Sequence, residues 1–308
     1  MYKRMLVPLD GSKLAEVVFP YARELSGLLG TEIILLHISN LGKDFLPMSR
    51  AYVEHAADHI KGRDNAEWRA LLTKPIVVSS DLVSGYPPDE ILRYAEEKKV
   101  DLILMASHGR SGRNRWGIGS VADKVLRTAV TPVLLVPTSE QPESSRCPVK
   151  ELIVPLDGSE LAENVLPHVE TLAGKEGISS VKVVLLRACE PPSVPTYYSP
   201  ELSEIPLHWG QYAQQETTRC KQVATEYLAG IESRLKSSNI DVRSEVLVGK
   251  ASDEIVNYAN KNSNSLIVMA THGRSGLSRL VYGSVALNIL VGVTNPILLI
   301  KPVPKTKS

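Results

Sequence analysis

The residues most able to do chemistry come in two matched sets. Val7-Pro8-Leu9-Asp10-Gly11-Ser12 returns as Val154-Pro155-Leu156-Asp157-Gly158-Ser159, and the His108–Gly112 pentapeptide returns as His272–Gly276. Nine residues separate Gly109 from Gly119-Ser120, and nine separate Gly273 from Gly283-Ser284. Glycines let backbone N–H groups converge, and a helix that opens at Gly-Ser presents its first amides and its positive dipole end to an anion. At about 1.5–3 kcal/mol per charge-assisted hydrogen bond, three or four such bonds give roughly 5–12 kcal/mol gross, which ordering costs reduce to micromolar or weaker affinity. That strength suits a reversible sensor and needs no dedicated cationic side chain.

Other candidates are weaker. His108 and His272 have no nucleophile or base at a defined spacing, so fixing the loop or touching phosphate is expected rather than catalysis. Arg110, Arg113 and Arg274 either reach phosphate oxygens or are ordinary solvated arginines. Asp10 and Asp157 can cap the following helix and contact a ribose at the same time. His55 and His59 stand four apart on a predicted helix but lack a third metal ligand, which favours a solvated face. Tyr197, Tyr198 and Trp209 read as a lid, a partner patch or plain packing. The chain has no Walker lysine motif, no G-x-S-x-G and no paired zinc cysteines.

These sets must be carried by repeated elements. The 308 residues exceed one ordinary domain, and 43% hydrophobic against 22% charged residues excludes a disordered or collagen-like chain. Short apolar runs at Met5–Leu9, Ile33–Ile38, Ile76–Val83, Leu102–Ala106 and Val133–Val136 alternate with helical spacing, as do Leu152–Leu156, Val181–Ala188, Val242–Val248, Leu266–Ala270 and Ile297–Ile300. Such alternation predicts two tandem doubly wound α/β units, each a parallel sheet with helices on both faces. The division reads as residues 1–137, a linker at 138–149, a second unit at 150–303 and a tail at 304–308. The units differ most in their middles: Ala51–Leu72 predicts a polar-faced helix, whereas Pro191–Pro206 is Pro-rich and precedes a helix from about Gln214 to Lys236. In an open parallel sheet ligands bind beyond the carboxyl ends of the strands, where both motif sets fall.

Charge and cysteine usage narrow the partners. Lys plus Arg at 35 against Asp plus Glu at 34 leaves no basic excess for gripping nucleic acid or anionic lipid. Cys147, Cys189 and Cys220 are odd in number and far apart, which argues against a disulfide framework and for a reducing cytoplasm. The apolar run after Lys3 and Arg4 is too short for an export signal. Leu280–Ile300 carries no charge and has a membrane-spanning length. Its duplicate, Trp116–Val136, contains Asp123, Lys124 and Arg127, so a soluble helix, turn and strand are predicted instead.

With these residues in place, the chain resembles the universal stress protein family in its tandem two-domain form. The resemblance rests on V-P-L-D-G-S after the first strand and on G-x2-G-x9-G-[ST] around the fourth, where ATP-binding members hold the triphosphate. Here the pattern reads Ala106-x2-Gly109-x9-Gly119-Ser120 and Ala270-x2-Gly273-x9-Gly283-Ser284. Alanine replaces the first glycine in both copies, and its methyl group would narrow the pocket or forbid a positive φ. Gly276-Leu277-Ser278-Arg279 makes the second copy closer to the pattern than the first, with its Trp116 and Gly117.

The resemblance implies five-stranded units of the adenine nucleotide alpha hydrolase-like kind, strand order 3-2-1-4-5, paired through their fifth strands. It implies that Pro8, Leu9 and Asp10, with Pro155, Leu156 and Asp157, flank adenine and ribose, and that Ile38 and Ala188 meet adenine through their backbones. Met105, Ala106, His108, Gly109, Gly119, Ser120 and Val121 would line the ribose and phosphates. Met269, Ala270, His272, Gly273, Gly283, Ser284 and Val285 would do the same in the second copy. ATP, with Mg2+ accompanying it, is the implied ligand. A non-enzymatic stress-response regulator with an unidentified protein partner, pairing its units internally or as a homodimer of whole chains, is the implied role. The competing readings are a nucleotide-independent interaction module with structural glycine loops, and an ATP-cleaving or nucleotidyl-transfer enzyme on the related fold.

Overall fold

The computed structural model describes residues 1–39, 46–61, 74–109, 117–138, 149–174, 181–192, 205–272 and 282–302. In the first unit β1 (Arg4–Leu9), β2 (Glu32–Ile38), β3 (Val78–Val83), β4 (Leu102–Ala106) and β5 (Val133–Val136) are joined through α1 (Phe19–Leu29), α2 (Leu46–Lys61), α3 (Pro87–Glu97) and α4 (Ser120–Thr128). In the second, β6 (Glu151–Pro155), β7 (Lys182–Cys189), β8 (Val242–Val248), β9 (Ser265–Ala270) and β10 (Ile297–Ile300) alternate with α5 (Leu166–Ala173), α6 (Ile205–Ser237), α7 (Ala251–Lys261) and α8 (Ser284–Gly292). A 3-10 turn, Ala15–Val18 or Ala162–Val165, leads into α1 and α5.

All ten strands form one sheet in the order β3-β2-β1-β4-β5-β10-β9-β6-β7-β8. Each unit therefore has the expected 3-2-1-4-5 order with parallel pairing. The units join through β5 and β10, which run antiparallel with Leu134 opposite Leu298. The seam is buried on both faces because successive side chains on a strand point to opposite sides. Leu134, Val136, Leu298 and Ile300 enter the core on one face, and Val133, Leu135, Ile297 and Leu299 enter the core on the other. Two apolar edges that would otherwise invite foreign strands thus cover each other.

The outer strands depart from the expectation of burial on both faces. β3 and β8 lie at the sheet edges and are only partly covered. The central strands are buried, and their near-continuous apolar runs reflect helices on both sides.

Helix boundaries follow local chemistry. Pro20 sits in the first turn of α1, and Gly30 ends it in a left-handed conformation at φ 73°. Of the polar-faced helix expected over Ala51–Leu72, α2 accounts for the part up to Lys61 and begins earlier, at Leu46; residues 62–73 are outside the described residues. α6 begins at Ile205 rather than near Gln214, since Pro206 at the first turn costs the helix no hydrogen bond. The uncharged Leu280–Ile300 stretch includes α8, a turn and β10. Among the described residues no helix is long and apolar enough to cross a membrane.

Candidate functional site

Two cavities lie at the carboxyl ends of the strands, one per unit. The first, about 340 Å³, is lined by every site residue named for the first copy, from Pro8 to Val121. The second, about 480 Å³, is lined by Pro155, Leu156, Asp157, Ala188, Met269, Ala270, His272, Gly283, Ser284 and Val285. Gly273 is outside the described residues, as are Arg110, Arg113, Trp116, Cys147, Tyr197, Tyr198, Arg274 and Gly276–Arg279. The linker apart from Thr138 and Val149, and the tail, are also outside them.

The adjacency of β1 and β4 brings the two motif loops together. The Asp10 carboxylate reaches across so far that a Cβ on Gly109 would overlap its Oδ2. The other oxygen, Oδ1, accepts hydrogen bonds from the Ser12 amide (3.0 Å) and hydroxyl (2.6 Å), while Ser12 Oγ accepts from the Ala15 amide (3.2 Å). Asp157 repeats this with Ser159 at 2.9 and 2.6 Å. Gly11 and Gly158 make the turn possible at φ 83° and 87°, where a side chain would be strained. Each aspartate thus organises the entry to the following 3-10 turn and lines the cavity.

The helix openings are the second feature. In α4 the intrahelical ladder starts where the Asp123 amide donates to the Gly119 carbonyl (2.8 Å), so the amides of Ser120, Val121 and Ala122 precede it. No side chain caps this end, and those three residues line the cavity. α8 is the same: Leu287 donates to Gly283 (3.0 Å), no side chain caps the helix, and Ser284, Val285 and Ala286 line the second cavity. These first-turn donors and the positive helix end together favour an anion.

Each histidine ring lies against the hydroxyl of the preceding residue. Ser107 Oγ lies 3.1 Å from His108 Nδ1 and accepts the Thr138 amide at 3.1 Å, and Thr271 Oγ1 lies 3.0 Å from His272 Nδ1. The alanines at the first glycine position prove conformationally harmless. Ala106 and Ala270 are the last residues of β4 and β9, opposite Val136 and Ile300, in extended backbone that any residue adopts. The glycine requirement at the helix opening is one of space, and it differs between copies. A Cβ on Gly119 would stand 2.9 Å from the Ser107 carbonyl oxygen, whereas on Gly283 it would stand 3.6 Å from that of Thr271.

One expectation needs correction. Cys189 and Cys220 form a disulfide, with their Cα atoms 5.8 Å apart across a separation of 31 residues. The return of α6 over β7 brings together thiols that sequence distance had set apart, and the argument from cysteine usage to a reducing compartment falls with it. Arg187 places a cationic side chain in the lining of the second cavity. Its guanidinium lies 4.9 Å from the Tyr227 ring centre and close against Gly158. Burial, and the hydrogen bond from Tyr227 to Glu163 (3.0 Å), push the Tyr227 hydroxyl well above its usual pKa.

The corresponding residue in the first unit, by strand register, is His37, whose Nδ1 bonds to the Leu9 carbonyl at 2.8 Å. Glu190, Cys220, Ala251 and Ile255 also line the second cavity without having been singled out. Arg187 had a signal, a lone arginine closing the apolar run Val183–Leu186. The others come from elements that only the tertiary fold brings near. His59, weighed as a metal ligand, packs instead against Phe19, with ring centres 5.7 Å apart.

A tandem pair of doubly wound units, each with a cavity between an Asp-Gly-Ser turn and an uncapped helix start, defines an open α/β architecture with its candidate sites at the carboxyl ends of the strands. The model of the universal stress protein family matches residues 1–137 and 148–301. The chain belongs to that family. It is 23% identical over 320 residues to a universal stress protein of Synechocystis sp., an alignment covering 96% of this chain and 99% of the relative. A universal stress protein of Methanocaldococcus jannaschii is 27% identical over 154 residues, 44% of this chain and 95% of the relative. Among solved structures, a universal stress protein from Archaeoglobus fulgidus aligns with a TM-score of 0.60 at 17% identity, covering 98% of this chain and 97% of that one. This structural likeness concerns the fold alone.

Proposed function

We propose that the protein binds adenine nucleotide, ATP in the first instance, in both cavities, and acts as a non-enzymatic regulator in a stress response. The observation that carries the reading is the pair of uncapped helix starts, each facing an aspartate across a cavity about the size of a nucleotide. The main chain supplies the phosphate donors, and Mg2+ travels with the triphosphate rather than being held by a protein cluster.

Denaturing the purified protein and searching the supernatant for nucleotide, followed by calorimetric titration with ATP, tests the reading. Gly119→Val together with Gly283→Val should abolish binding by filling both helix openings; undiminished affinity would place the site elsewhere. Incubation with ATP and Mg2+ should give no product above background.

A second reading, an interaction module independent of nucleotide, draws on one feature. α8 exposes Leu287 and Val291 on its outer face, where the corresponding helix α4 carries the Asp123–Arg127 ion pair at 2.8 Å.

A further inference from the structure

The second cavity has a disulfide at its wall. Cys189 directly follows Ala188 at the cavity edge, and its disulfide partner Cys220, on α6, is itself a lining residue. The register that aligns Leu36 with Leu186 puts Ser39 at the position of Cys189 in the first unit, where no such bond can form.

The burial pattern of α6 gives the bond a mechanical role. Ala224, Leu228, Ile231 and Leu235 form its buried stripe. From Trp209 to Val223 no residue is buried. Cys220, one turn before Ala224, is the covalent point fixing this projecting part of the helix to β7. A detached helical segment of about 15 residues is marginal in water, so losing that anchor frees it to fray away from the cavity.

We infer that Cys189 and Cys220 form a redox-modification site that sets ligand retention in the second cavity, an inference that rests on the nucleotide reading of that cavity. Exchange begins at Cys220, because Cys189 is wholly buried and only its partner is partly exposed. A thiolate of a dithiol reductant attacks Cys220 Sγ, the S–S bond breaks, and Cys189 leaves as a thiolate that takes up a proton. The second sulfur of the reductant then displaces Cys220, which also becomes a thiol, and the reagent departs as a cyclic disulfide. A hydroperoxide reverses the change. The Cys220 thiolate attacks the peroxide oxygen to give a sulfenic acid and an alcohol or water, and Cys189 displaces water from it to restore the bond.

The test uses the full chain in two backgrounds, Gly119→Val to report the second cavity and Gly283→Val to report the first, each titrated with ATP and Mg2+ after peroxide or dithiol treatment. Reduction should weaken binding in the second cavity about tenfold while leaving the first unchanged, and Cys220→Ser should reproduce the reduced value in both conditions. Trypsin should cleave after Arg219 and Lys221 about tenfold faster in the reduced protein. Equal affinities and equal cleavage rates in the two redox states, or tighter binding on reduction, overturn the inference alone. Absence of binding in every background and state overturns the nucleotide reading on which it rests, and the ligand clause with it.

Discussion

Tyr2 and His168 meet across the two units, with the Tyr2 hydroxyl 2.6 Å from His168 Nδ1 and both side chains buried. Burial lowers the His168 pKa to about 4 and raises that of Tyr2 beyond its usual range, so the phenol donates to a neutral imidazole. The segment before β1 of one unit is thereby tied to α5 of the other by a bond that exists only while the ring is uncharged.

That tie makes stability fall with acid. The folded pKa of His168, about 4, lies below the unfolded value near 6.5, so the unfolded chain binds more protons in between. The contribution is complete above about pH 6.5 and is lost as pH falls toward 4, by roughly 3 kcal/mol at most. Denaturant unfolding at a series of pH values should show this slope. The paired change Tyr2→Phe with His168→Phe should remove that share of it.

The two helix-opening glycines should respond differently to the same mutation. In Gly119→Ala the new Cβ meets the Ser107 carbonyl at 2.9 Å, whereas in Gly283→Ala the nearest atom is at 3.6 Å. Capping costs are common to both, so Gly119→Ala should be less stable by about 1–2 kcal/mol, an overpacking cost. Equal melting temperatures for the two variants would contradict the geometry.

Asparagine can separate the structural from the ligand-facing role of Asp10 and Asp157. Asp10→Ala removes the acceptor of the Ser12 amide and hydroxyl and should cost about 1 kcal/mol of stability. Asp10→Asn keeps an acceptor there and should retain most of that stability. If the carboxylate also meets ribose, its ATP affinity should still fall about tenfold by calorimetry.

Arg187 should matter in one cavity only. Arg187→Ala removes the cation near the Tyr227 ring, worth about 0.5–2 kcal/mol of stability. It should also weaken nucleotide binding in the second cavity and flatten its salt dependence. Affinity in the first cavity, where His37 bonds to Leu9, should not move. A uniform loss in both would show that the arginine acts on the fold.

Much of the site was legible because it is local. The strand ends, the Asp-Gly-Ser turns and the Gly-Ser helix starts are each decided within a few residues, and their duplication made every feature appear twice. Ala106 and Ala270 need no positive φ because their backbone belongs to a strand, a matter of pairing with neighbours rather than of the alanines themselves. The start of α6 was missed because nothing nearby marks it once Pro206 is allowed in the first turn.

By itself the amino-acid order determined the duplicated α/β units, their strand runs and the loops that converge at the strand ends, since periodicity, turn chemistry and helix starts act over short spans. The tertiary structure alone decided that Cys189 meets Cys220, that Arg187 enters one cavity while His37 turns to the backbone in the other, and that Tyr2 reaches His168. Those contacts join residues distant along the chain, and which distant side chains meet depends on how whole elements stack, information that no short stretch of sequence carries.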